Sequence, residues 1–185
     1  MYLGIDLGTA GVKALLIGGD QAILASGSAA MDVSRPADGW SEQDPADWIR
    51  ATTDAITDLG AKASLDTVKG IGLSGHMHGA TLINAADEVL RPCMLWNDTR
   101  SHIEAARLDS DPQFQRITGN IVFPGFTAPK VDWVRVNEPE TFAKTAKILL
   151  PKDYLRLWFT GEHVSEMSDA AGTAWLDTGA RTWTD

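Results

Sequence analysis

Within GIDLGTAGVK, positions 4–13, a carboxylate, two glycines, a hydroxyl and an amine follow one another closely behind an apolar run. Glycine adopts backbone dihedrals that side chains disfavour. The N–H groups of Gly8, Thr9, Ala10 and Gly11 can therefore turn toward one anion, with the Thr9 hydroxyl as a further donor. That is a phosphate cradle. A carboxylate beside a phosphate repels it unless a magnesium ion and its waters stand between them, which makes Asp6 a metal-side group. Lys13 adds a point charge on the next strand. An ordinary hairpin with turn glycines accounts for the same residues, and this stretch alone leaves both readings open.

A second stretch with chemistry is GHMHG, positions 75–79, where a strand ends between two glycines that bring its backbone close to a ligand. His78 can donate and accept hydrogen bonds, which suits a polyol, and Met77 offers a pliable apolar wall. His76 and His78 alternate as a strand-borne metal pair would, but no carboxylate stands close enough in sequence to complete a site. Core or solvated histidines are the alternative. In LWNDTR, positions 95–100, Trp96 offers an apolar face for a sugar skeleton, with Asp98 or Arg100 as polar fixers. Trp48, Trp133 and Trp158 sit in helical patterns where core packing explains them. Thr127 reads as a helix cap, and Asp169 as a turn-capping residue.

The elements that must position these residues begin with β-runs at 2–6, 12–17 and 22–28, separated by glycine-containing turns at 7–11 and 18–20. They predict a three-stranded antiparallel meander. A helix starts after Asp44 with Pro45 in its first turn and stops at Gly60, with Trp48, Thr52, Ile56 and Leu59 on one face. A fourth strand follows in VKGIGLSG. Two more are expected in ATLINAADEVLRPCMLW, joined by a turn at 85–87. Beyond Trp96 the pattern turns helical, at about 100–108, 112–117 with Gly119 as stop, 128–136, and 154–159 before Gly161. The fold class is α/β: a mixed sheet that begins with the meander, flanked by helices.

The net charge of −9, with no run of Lys or Arg, disfavours a nucleic-acid partner. Cys93 is the single cysteine, so an internal disulfide or a cysteine-based zinc site is excluded and a reducing cytoplasm fits. No segment approaches the roughly 20 apolar residues that span a bilayer, and no membrane partner is expected.

Taken together, YLGIDLGTAGVK, WSEQDP, GIGLSGHMHGATL, LWNDTR, ITGN, PGFTAPKVDWV, LLPKDYLRLWFTGE and SDAAGTAWLD resemble the first half of the xylulokinases, within the FGGY family of carbohydrate kinases. The motifs occur in family order. The resemblance implies a ribonuclease-H-like, actin-like ATPase fold and ATP-dependent phosphorylation of the 5-hydroxyl of D-xylulose, with ATP and Mg2+ as cofactors. It implies that residues 1–185 are the sugar-binding N-terminal domain, incomplete at its C-terminal end. The general base and the adenine pocket then lie in a C-terminal nucleotide-binding domain outside this chain. Met77 and His78 match substrate-contacting positions, Trp96 an aromatic lining the pocket, and Gly125 and Phe126 a loop near the substrate. SDAAGT, positions 168–173, matches a segment that supports the first lobe near the cleft. A small sugar and MgATP are the implied partners, and a homodimer is compatible with the resemblance. Kinases for another pentulose or polyol, such as ribulose, L-xylulose or glycerol, and a non-catalytic sugar-binding regulator on the same fold, are the alternatives.

Overall fold

A computed structural model describes residues 1–184. The expected meander is present as β1 (Tyr2–Gly8), β2 (Gly11–Ile17) and β3 (Ile23–Ala30). Side chains alternate along β1, so Leu3, Ile5 and Leu7 are buried while Asp6 is exposed on the other face. The buried row packs against α1 (Pro45–Gly60), whose Trp48, Ala51, Ala55 and Leu59 join it in the main core. Burying such side chains is worth roughly 1.5–3 kcal/mol each for the larger ones. The Asp44 carboxylate accepts from the Ala46 amide and starts the helix as its sequence suggests.

Between β3 and α1 lies the two-residue β4 (Glu42–Gln43). After α1, β5 (Ile71–Gly75) joins the sheet parallel to β1, giving the order β3-β2-β1-β5. This parallel pairing sets Ser74 beside Asp6, while Lys13 stands opposite Asp6 on β2. Three chemistry-bearing residues therefore share neighbouring positions on three strands.

The expected pair of strands after Gly79 forms only in part. β6 (Thr81–Ile83) and the residue before it meet the downstream segment through isolated antiparallel bridges, Ala80 to Met94 and Ile83 to Val89, and the Leu90 amide donates to the Leu82 carbonyl. Its full partner is β8 (Lys147–Leu149), much later in the chain, and β7 (Cys93–Met94) pairs with β4 instead. Non-local pairing is added to the local hairpin, whose turn at 85–87 is closed by the bond from the Asn84 amide to the Glu88 carbonyl.

The helical half contains α2 (His102–Asp109), α3 (Pro112–Thr118), α4 (Thr127–Asn137), α5 (Pro139–Lys144), α6 (Pro151–Thr160) and α7 (Met167–Ala170), followed by a short hairpin of β9 (Leu176–Asp177) and β10 (Thr182–Trp183). Gly119 ends α3 in the left-handed conformation expected of a stop residue. α6 begins three residues earlier than its sequence pattern suggests, because Pro151 fits its first turn. Trp158 is exposed on α6 at 46%, against the core packing expected of it. No helix among the described residues is long and apolar enough to cross a membrane.

Candidate functional site

The β1–β2 ladder runs to Gly8 opposite Gly11, so the turn itself is Thr9 and Ala10, narrower than the five-residue turn expected. Neither of those two has a positive φ. Gly11 is needed for a different reason from the one its turn position suggests: a Cβ there would run into the Ala29 carbonyl of the adjoining strand. The amides of Gly8 and Gly11 thus belong to strand ends, leaving Thr9 and Ala10 as the turn proper.

This turn is held from behind. The buried Gln43 amide donates to the Thr9 carbonyl at 2.8 Å and the Asp32 carbonyl at 3.0 Å, and accepts from the Trp48 indole at 3.1 Å. In front, the Trp96 indole donates to the Thr9 hydroxyl at 3.1 Å, leaving the Thr9 proton free for another acceptor. Trp96 is 43% exposed, so its ring offers an open apolar face directly beside the turn.

For Mg2+, the donor set fits a water-mediated contact and not a direct cage. Asp6 is one exposed carboxylate with Ser74 alongside, and no cluster of three metal-binding side chains occurs among the described residues. His76 is buried with both ring nitrogens unpartnered, and its pKa is pushed down to about 4, chiefly by burial and secondarily by the Lys130 charge. It packs edge-on against Trp48 as a neutral core residue.

His78 has φ of 65°, a left-handed conformation that few residues other than glycine adopt. Such a conformation persists where surrounding contacts over-determine it. Its Nδ1 lies 3.1 Å from the Gly172 carbonyl and its ring packs against Phe126 with centroids 4.8 Å apart. Its own carbonyl accepts from the Thr127 hydroxyl at 3.1 Å and from Lys130 Nζ at 3.0 Å. Burial, then the Lys130 charge, pushes the His78 pKa down to about 4 despite the opposing bond to Gly172. It is therefore neutral near pH 7, with Nδ1–H donating to the Gly172 carbonyl and Nε2 left as an acceptor.

Met77, 44% exposed, and His78 line an open cleft of about 510 Å³ together with Ser74, Lys152, Asp169 and Gly172. Lys152 Nζ lies 2.8 Å from the Asp153 carboxylate and 3.0 Å from that of Asp169, forming a charged wall. Burial raises the pKa of Asp169. Asp169 does not cap a turn, since the Glu166 carboxylate accepts from the Ser168 and Asp169 amides and starts α7.

Three other expectations are corrected. Asp98 cannot meet a sugar: it is fully buried, and its oxygens accept from the Ser41 amide and from the Arg100 backbone and guanidinium. Arg100 is equally unavailable, lying 3.6 Å from the Trp40 ring centroid and 5.1 Å from that of Trp133. Phe126 is 3% exposed and stands behind His78, while the residue expected to cap α4, Thr127, instead spends its hydroxyl on the His78 carbonyl. Gly125 packs against the Trp96 carbonyl, so the 123–127 segment touches both aromatic and histidine sides of the site.

Sequence reasoning did not find Gln43, Lys130 or the fit of Gly172, where a Cβ would overlap the His78 ring. Only Lys130 carried a signal. It falls on the α4 face that buries Thr127, Val131 and Val134.

The family model for the FGGY family of carbohydrate kinases, N-terminal domain, matches residues 1–185. The xylulose kinase of Escherichia coli (strain K12) is 53% identical over 186 residues, covering 100% of this chain and 38% of that protein. That of Klebsiella pneumoniae is likewise 53% identical, with 100% and 38% covered. The crystal structure of a xyloylose kinase from Brucella ovis superposes with a TM-score of 0.98 at 64% identity, covering 99% of this chain and 39% of that one. The chain thus spans about 38% of the length of the curated relatives it matches.

Proposed function

The chain belongs to the FGGY family of carbohydrate kinases, matching their N-terminal domain, and from that premise we propose that it forms the sugar-side lobe of an ATP-dependent kinase that phosphorylates the 5-hydroxyl of D-xylulose. The observation that carries this reading is the bond from the Trp96 indole to the Thr9 hydroxyl, which joins the phosphate turn to the aromatic side of the sugar site. A phosphoryl donor and a sugar acceptor must be held within reach of one another for in-line transfer.

In this reading Met77 supplies an apolar wall and neutral His78, its Nδ1–H given to the Gly172 carbonyl, orients a sugar hydroxyl through Nε2 as an acceptor. Trp96 offers its face to the carbon skeleton. The Thr9 hydroxyl and the turn amides hold phosphate oxygens, with Lys13 adding charge from β2 and Gly8 and Gly11 keeping the approach free of side chains. Asp6 holds the waters of a magnesium ion, which when bound neutralises charge on the transferring phosphoryl group. The residue that takes the proton of the sugar hydroxyl, and the adenine pocket, belong to the remainder of the longer protein. Closure of the two parts excludes water, the competing acceptor.

The test is ADP release by the full-length protein on a panel of D-xylulose, L-xylulose, D-ribulose and glycerol. The highest kcat/KM is expected for D-xylulose. Greater kcat/KM on another member overturns the sugar assignment, and sugar binding without turnover favours the regulator alternative. Residues 1–185 alone are expected to release no sugar-dependent ADP; turnover by that purified piece refutes the two-part reading.

A further inference from the structure

Lys130 is the one lysine of α4, and its side chain is completely buried. Among the described residues it forms no ion pair; its Nζ donates to two backbone carbonyls, His78 at 3.0 Å and Gly125 at 2.8 Å. A methionine fills a similar length without the cost of desolvating an amine. What the amine holds must therefore explain its presence.

Both acceptors lie on segments that carry sugar-side residues, and the two segments are far apart in sequence. The His78 carbonyl belongs to a residue in a left-handed conformation, and it accepts a second bond from Thr127 on the first turn of α4. The ring of the same residue is held by Phe126 and by the Gly172 carbonyl. Backbone and ring are thus fixed from different directions. Only the α4 amine ties the histidine loop directly to Gly125, which in turn packs on Trp96.

We propose that Lys130 is a positioning residue for sugar binding: its buried amine fastens the loop bearing Met77 and His78 to the Gly125–Phe126 segment, and so sets the direction in which His78 faces the sugar. This rests on the sugar-site reading above. Lys130 touches no substrate; it acts through the two carbonyls. Thr127 is its auxiliary, supplying the second donor to one of them.

The decisive experiment compares full-length wild-type protein with Lys130→Met and Thr127→Val. Loss of one such buried donor is expected to raise KM for D-xylulose about tenfold in Lys130→Met and about threefold in Thr127→Val, with KM for ATP held within about twofold. A packing role alone lowers the melting temperature and leaves both KM values in place, which overturns the proposal. Should Lys130→Met fail to fold, Thr127→Val decides by the same criterion. Independently of turnover, histidine-selective 13C spectra follow the His78 ring, assigned through His78→Gln. Removing the amine is expected to shift the His78 ring resonances above about pH 8, where Lys130 is already uncharged in the wild type and loss of charge adds nothing. A His78 signal unchanged in Lys130→Met overturns the proposal even in an active enzyme. If the wild type phosphorylates no sugar on the panel, the functional reading falls, and the histidine spectra alone decide whether Lys130 positions His78.

Discussion

The turn proposed to hold phosphate and the loops proposed to meet the sugar solve the same problem, presenting polar groups at a surface, in opposite ways. At the turn, strand pairing closes the backbone up to Gly8 and Gly11, and the charged groups Asp6 and Lys13 stand out on the exposed face. In the loops, an interior amine, a hydroxyl and a buried phenyl ring hold His78 in a conformation it would not adopt alone. The difference teaches which changes separate chemistry from stability. On the turn the charged side chains bear little packing, whereas in the loops the residues that hold His78 are also core residues.

The sharpest break in this comparison is Asp6→Asn in the full-length protein. The side chain keeps its shape and loses its charge, so kcat is expected to fall by about a hundredfold or more, corresponding to roughly 3–4 kcal/mol of transition-state stabilisation. The melting temperature and the affinity for D-xylulose stay near those of the wild type. Normal turnover with reduced stability would refute the role assigned to Asp6.

A smaller effect is expected on the other side. His78→Ala removes the ring proposed to face the sugar and is expected to cost about 1–3 kcal/mol in kcat/KM for D-xylulose. Gly172→Ala provides the companion measurement, because its methyl group displaces the same ring from behind while leaving the imidazole chemistry intact. Both variants are expected to move the sugar parameter and spare KM for ATP. If kcat/KM with D-xylulose stays within about twofold of wild type in His78→Ala, the histidine is only a packing residue.

The smallest expected change falls on the bond that joins the two regions. Trp96→Phe keeps an aromatic face and deletes the donor to Thr9, a loss of about 1 kcal/mol, or about fivefold in rate. Because Thr9 belongs to the turn and Trp96 to the sugar side, both substrates should be affected together. A change confined to the sugar would show that the indole donor does not couple them.

The meander, α1 and its Asp44 cap were legible because they follow local rules, alternation along strands and a carboxylate ahead of a proline-started helix. Asp98 was misread for a physical reason. Its spacing from Trp96 suits a pocket, but its charge is consumed by Arg100 two residues on and by the Ser41 amide, which is brought in from 57 residues away. Nothing local announces that contact. The fit of Gly172 to the His78 ring, across 94 residues, is equally invisible in a linear pattern. Lys130 is the intermediate case, since a lysine three residues after Thr127 and four before Val134 lies on a buried helix face and invites the question of what it binds.

The buried amine has a further consequence, in the dependence of folding on pH. Burial lowers the pKa of Lys130 to about 7 from its ordinary 10.5, against the partly compensating attraction of Asp98, with Arg100 adding repulsion. His76 and His78 also face it, but both remain neutral until about pH 4. Between pH 7 and 10.5 the unfolded chain holds a proton on this lysine that the folded chain has released, so its contribution to stability grows as pH rises through that window and is lost as pH falls toward 7. The melting temperature is therefore expected to carry an upward component on the alkaline side of neutrality, one that is absent from Lys130→Met. A domain with a net charge of −9 would thus draw stability from base at one interior position while its surface repulsion grows.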